Sequence, residues 1–96
     1  MNRRRDEDYE IAALSKGLMV LEALEGIGFE PVSLATIVGR TGFTRDYCYR
    51  ALRTMKMRGY VAQAGDDKWS LGQRIAKFSG RYGDLALRAL AQGKDA

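Results

Sequence analysis

The chain has 96 residues, 46% of them hydrophobic and 29% charged, with a formal net charge of +4, which fits one small globular domain and excludes a disordered or fibrous chain. It has no histidine and a single cysteine, Cys48, which excludes Ser–His and Cys–His nucleophile pairs, an internal disulfide and the usual nitrogen and sulfur ligands of zinc. No GxxxxGK[ST] or GxGxxG pattern, signal-peptide pattern or membrane-length apolar run occurs, so the expectation is a cytoplasmic protein that is not an enzyme and carries no cofactor or metal.

Residues 1–10, "MNRRRDEDYE", read as a flexible charged arm. Arg3-Arg4-Arg5 suits phosphate or a minor groove, but Asp6-Glu7-Asp8 nearly cancels its field, so a solubilising tail is the competing reading. "LSKGLMVLEALEGIG" predicts a first helix capped by Ser15, with Leu18, Leu21, Ala23 and Leu24 on its apolar side, Met19 and Val20 widening that stripe, and Gly26 and Gly28 as stops. "FEPVS" predicts a short extended piece, because Glu30 precedes Pro31.

Ser33 then caps "LATIVGR", whose Leu34, Ile37 and Val38 share a face. Thr41-Gly42-Phe43 marks a sharp turn, with Gly42 free to take a positive φ. Thr44 caps a third helix at about 45–58, and Asp46 in its first turn suits the positive dipole end. Cys48, Leu52 and Met55 stand at i, i+4 and i+7, with Ala51 beside them, and are expected in the core. "YVAQA" and "KWSL" around Gly65-Asp66-Asp67 predict a β-hairpin anchored by Trp69. "GQRIAKFSGRYG" predicts a short helix with Ile75, Ala76 and Phe78 inward, broken at Gly80 and Gly83. Asp84 is then the cap of a last helix, 84–92, with Leu85, Leu87 and Leu90 apolar. The fold class is mainly α with a small β-hairpin, a winged helix-turn-helix. The winged domain spans 11–82, and 83–96 form a linker-like dimerisation helix and tail.

Charge is unevenly spread. Between Arg40 and Arg58 there are six basic residues and one acidic residue, Asp46. A basic patch on one helix is the electrostatic footprint of a nucleic-acid binder, whereas an ordinary solvated face carries both signs. An α-helix fits the major groove, and arginine can bond guanine at two points. Arg45 and Arg50 are therefore the candidates for base edges. Arg53, Arg40 and Lys68 suit phosphate, and Thr54 lies on the same polar side. Tyr47 and Tyr49 can meet a sugar, a thymine methyl or phosphate, although Tyr49 can equally pack under the wing. Asp46 can accept from cytosine N4 or simply cap the helix. Arg74, Lys77 and Arg81 extend the positive surface or solvate a helix.

The stretches "LSKGLMVLEAL", "PVSLATIVGRTGFTRDYCYRALRTMKMRGYV" and "DDKWSLGQRI" resemble the N-terminal domain of the IclR-type transcription factors, from roughly Ala13 to Phe78. The resemblance implies a DNA-binding dimer with the third helix in the major groove. Arg45, Asp46, Tyr47, Tyr49 and Arg50 match the groove-facing segment, Arg53 a position near the backbone, and Asp66 to Lys68 the wing. Family members usually have small polar residues where Asp46 and Tyr47 stand here, so base preference does not carry over. Their effector-binding domain has no counterpart in these 96 residues, and a regulator without a built-in ligand sensor is expected.

The leading expectation is thus a homodimeric regulator on double-stranded DNA, joined through the first helix and helix 84–92. The competing one is a winged-helix adaptor or decoy that pairs with a larger regulator without binding DNA itself. The first requires the arginines to project outward. Burying them, or setting them against carboxylates of the same chain, removes it.

Overall fold

The computed structural model describes residues 5–25 and 30–91, with the side chains of 81, 82, 84, 86, 87, 90 and 91 outside that description. Its elements run α1 (Asp6–Tyr9), α2 (Ala12–Glu22), β1 (Val32–Ser33), α3 (Leu34–Thr41), α4 (Arg45–Met57), β2 (Val61–Ala64), β3 (Lys68–Leu71) and α5 (Gln73–Ala91). Helices α2, α3 and α4 pack on one another, α4 also meets β2, and the strands form an antiparallel sheet in the order β1-β3-β2. This is a winged helix-turn-helix.

One core holds it together. Val20, Ala23 and Leu24 from the end of α2, Leu34 and Ile37 from α3, Cys48 and Leu52 from α4, Val61 from β2 and Trp69 from β3 are all buried. The spacing of Leu34 with Ile37 and of Cys48 with Leu52 puts each pair on one helix face, as their sequence pattern requires. Ser33 caps α3 by accepting from the Thr36 N–H at 3.2 Å, and Thr44 caps α4 by accepting from the Tyr47 N–H at 3.1 Å. Both satisfy a donor that a helix start otherwise leaves open. Gly42, at φ 76°, ends α3 in the left-handed region that only glycine enters cheaply, and its N–H donates to the Val38 carbonyl at 2.9 Å.

Several expectations are corrected. Ser15 is not the cap of the first helix. That helix begins at Ala12 after an extended Ile11 that makes no side-chain cap bond, because Ala12, Ala13 and Leu14 are strong helix formers and carry the start back past Ser15. Within the apolar stripe Leu18 and Met19 are each 46% exposed, and the burial falls on Val20. The arm is in part helical, since Asp6, Glu7 and Asp8 favour the first turn of α1 and the Arg5 N–H donates to Asp8 Oδ2 at 3.1 Å. Arg3, Arg4, Gly26 and Gly28 lie outside the described residues.

The sheet gains a third strand because Val32 pairs with Trp69 and Ser33 with Lys68. The extended piece before Ser33 thereby holds the wing to the start of α3.

The largest correction is at the C-terminal end. Gly80 and Gly83 do not break the chain, and Asp84 is not a cap: α5 runs unbroken through them. Each interior glycine costs about 1 kcal/mol relative to alanine, less than neighbouring helix formers such as Ala76, Lys77, Leu85 and Leu87 return over 19 residues. Phe78, expected inward, is 51% exposed, with its ring 6.3 Å from that of Tyr60. The start of α5 is pinned to the end of α4 by Arg74 N–H to Gly59 carbonyl at 2.9 Å and Gly72 N–H to Tyr60 carbonyl at 2.8 Å. A methyl group at Gly72 would collide with the Gly59 carbonyl oxygen and the Tyr60 and Val61 backbone.

Candidate nucleic-acid interface

Helix α4 divides its circumference among four surroundings. Cys48 and Leu52 face the core, with Ala51 and Met55 half-buried beside them. One flank, with Tyr47, Thr54 and Arg58, borders a groove of about 650 Å³ shared with Leu14, Leu18 and Leu21 of α2, and Arg50 also lines it. The opposite flank meets the wing through Tyr49, whose ring stands edge-on to Trp69 at 6.0 Å, and through Lys56, whose Nζ donates to Gln63 Oε1 at 2.9 Å. The face left pointing away from the protein repeats at i, i+4, i+7 and i+11 and carries Asp46, Arg50, Arg53 and Met57, all exposed.

On that face Arg50 Nη1 lies 3.9 Å from Asp46 Oδ2, with the two side chains 78% and 81% exposed. So open a contact orients the guanidinium without burying it, and solvent screens most of its attraction. Among the described residues no carboxylate ion-pairs with Arg45, Arg53 or Arg58. Arg53 is held instead by an uncharged partner: its Nη1 donates to the Tyr49 hydroxyl at 2.9 Å and its guanidinium carbon sits 5.7 Å from the Tyr49 ring centre. Both arginines therefore keep free donors toward solvent, since each guanidinium has five. Arg45, the first residue of α4, is exposed at the helix N-terminus, where backbone N–H groups also favour phosphate.

The predicted site residues thus fall into two groups. Asp46, Arg50 and Arg53 share the outward face, and Arg45 is exposed at the N-terminal end of the helix. Tyr47, Thr54, Tyr49 and Arg40 stand off it. Tyr47 is half-buried, edge-on to Phe43 at 5.4 Å, with Lys16 Nζ 5.8 Å from its ring centre. The Thr54 hydroxyl donates back to the Arg50 carbonyl at 2.8 Å. Tyr49 is the prop beneath the wing that its amphipathic ring allowed. Arg40 donates through Nη1 to the Ala23 carbonyl at 2.6 Å, filling an acceptor that the end of α2 leaves open. Lys68 is exposed at the start of β3, beside the acidic tip Asp66-Asp67.

Two contributors escaped the sequence reading. Lys16 of α2 lies near the rings of Phe43 and Tyr47, 5.9 and 5.8 Å from their centres, and nothing in its helical stretch pointed to them. Gln63 joins helix to wing, and its signal was present: it occupies the position two after buried Val61, where alternation calls for an apolar side chain.

Comparison with known proteins agrees with the fold. Residues 13–65 match the IclR helix-turn-helix domain. The chain is 40% identical over 78 residues to the p-hydroxybenzoate hydroxylase transcriptional activator of Acinetobacter baylyi, with 81% of this chain and 28% of that protein covered. It is 33% identical over the same length to the Pca operon regulatory protein of that organism, covering 81% and 27%. An IclR transcriptional regulator from Alicyclobacillus acidocaldarius superposes with a TM-score of 0.67 at 26% identity, over 80% of this chain and 31% of that one. The chain spans just over a quarter of the length of the curated relatives it matches. Helix-turn-helix, wing and exit helix, together with the match over 13–65, make this chain a member of the IclR helix-turn-helix family.

Proposed function

We propose that the chain is a sequence-specific double-stranded DNA-binding transcriptional regulator that lays α4 in the major groove. The observation that carries this reading is the outward face of α4, where Arg50 and Arg53 are presented beside exposed Arg45 with their donors turned to solvent. In the groove, Arg50 reads a guanine edge, Arg45 and Arg53 hold phosphates and Lys68 carries the wing to the flanking backbone. Asp46 orients Arg50, and in an extended site it accepts from a cytosine adjacent to that guanine. Tyr47, Thr54 and Arg40 shape and hold the helix rather than touch bases.

Two copies act together on a two-fold site. Exposed Leu14 and Leu18 of α2, at 58% and 46%, and Leu85 of α5, at 63%, supply the apolar surface that joins them. Of the other predicted contributors, the Leu87 and Leu90 side chains lie outside the described residues. Among the described residues no helix is long and apolar enough to cross a membrane, and a protein that works on DNA belongs in the cytoplasm. The relatives named as regulators favour this reading over an adaptor.

The test is selection of duplexes from a random pool by the 96-residue chain, followed by titration at several salt concentrations. A two-fold symmetric motif and an affinity that falls steeply with salt are expected. No enrichment, with no binding at low salt, would remove the reading.

A further inference from the structure

Gln63 is the polar residue on the helix-facing side of β2, two positions after buried Val61 and directly across from buried Trp69. Its amide makes two bonds of opposite sense. Oε1 accepts from Lys56 Nζ in the last turn of α4 at 2.9 Å, and Nε2 donates to the Asp66 carbonyl at the tip of the wing at 2.9 Å. The ammonium can only donate and the carbonyl can only accept, so the partners themselves fix which way the amide points. The next carbonyl of the tip, Asp67, accepts from the Leu34 N–H at the start of α3 at 2.8 Å. Two consecutive carbonyls of the wing turn are therefore tied, one to each helix of the helix-turn-helix. A two-stranded ribbon is marginal by itself, and these ties give it a set position.

We infer that Gln63 is a positioning residue that fixes the wing against the recognition helix, so that the two meet DNA at a set separation. The inference rests on the DNA-binding reading above. It assigns Lys56 to the wing, although its charge alone would send it to a phosphate. A helix and wing held at one spacing favour a site whose flank lies at that distance from the major-groove contact. A loose wing gains less from the flank, because ordering it offsets the contacts it makes.

The test uses the 96-residue chain, its Gln63→Ala and Lys56→Met variants and the double variant. The probes are a duplex enriched by the wild type from a random pool and the same duplex shortened by its outermost base pairs. Amide hydrogen exchange at residues 65–67 is followed in the free proteins.

The expected result is a loss of about threefold to tenfold on the long duplex for each single variant, in the range of one hydrogen bond. The double variant is expected to lose no more, the short duplex to be unaffected, and the tip amides to exchange faster. If the wild type binds but Gln63→Ala keeps its preference for the long duplex, the inference is wrong and the DNA-binding reading stands. Additive losses on both duplexes would assign Lys56 to phosphate and also overturn it. A wild type that enriches no duplex from the pool, while Gln63→Ala still speeds exchange at the tip, takes away the DNA-binding reading and the positioning role with it.

Discussion

The molecule presents two contrasting surfaces. The outer face of α4 is charged, and its long side chains are steadied by neighbours: Arg50 by Asp46, and Arg53 by Tyr49. The outer sides of α2 and α5 are apolar and exposed, with Leu14, Leu18, Met19, Phe78 and Leu85 open to solvent. Neither belongs to the buried core cluster, which among the described residues runs from Val20 to Trp69 without them. The difference teaches that a domain this small divides its surface by partner chemistry. A polyanion is met by oriented, hydrated cations, which lose little on binding if they are already held. A second protein surface is met by side chains whose removal from water is itself the driving force.

The sharpest way to break this contrast is to place charge on the apolar side. Leu18→Glu with Leu14→Glu is expected to convert a dimer to a monomer in sedimentation. At low protein concentration it should lower affinity for a two-fold duplex by about 100-fold, because the second half-site no longer gains from the first. An unchanged sedimentation coefficient would show that the leucines do not join two copies.

Next in size is Arg50→Ala. It is expected to cost about 1–3 kcal/mol on the preferred duplex and to relax selection at one base pair, with the oligomeric state unaltered. Equal affinity for matched and mismatched duplexes in the wild type would leave that role empty. Arg53→Ala should weaken all duplexes alike and reduce the slope of log affinity against log salt by about 1. Tyr49→Phe, which removes the hydroxyl and keeps the ring, should reproduce a small part of that loss without altering the slope. Smallest of all is Asp46→Asn. It frees Arg50 from a screened contact, so non-specific affinity at low salt should rise by a few tenths of a kcal/mol, read by titration on a random duplex.

Much of the fold was legible because it is written in short-range chemistry. Ser33 and Thr44 cap α3 and α4 as their positions predict, Gly42 makes the turn, and Leu34, Ile37, Cys48 and Leu52 are buried as their spacing requires. The errors came where local signals were in balance. Gly80 and Gly83 look like a break in any short window, and only summation over all of α5 shows that the helix continues. Ser15 is a good cap in isolation, but it follows two alanines that extend the helix past it.

The candidate site was half legible for a related reason. Composition reveals that a helix is basic, and periodicity reveals which side is core, which leaves Arg50 and Arg53 on an exposed face. Neither reveals what lies across each flank. Tyr47 is turned to Phe43 and Lys16, and Arg40 to the end of α2, by contacts 17 or more residues distant in sequence or across an element boundary. Gln63 shows the same limit in reverse: its polarity broke the strand pattern, but its partners are known only from the fold.

Cys48 sits at 0% exposure in the middle of the core, its Sγ 3.5 Å from the Thr41 hydroxyl oxygen. The sole thiol of the molecule is therefore shielded from any reagent too large to slip between α3 and α4, and it reacts only when those helices part. Alkylation of this sulfur is thus a built-in clock for opening of the domain: with a bulky maleimide in excess, the labelling rate reports how often the helix-turn-helix comes apart. Anything that clamps the two helices together, a bound duplex included, should slow that clock, with no dye or tag added elsewhere.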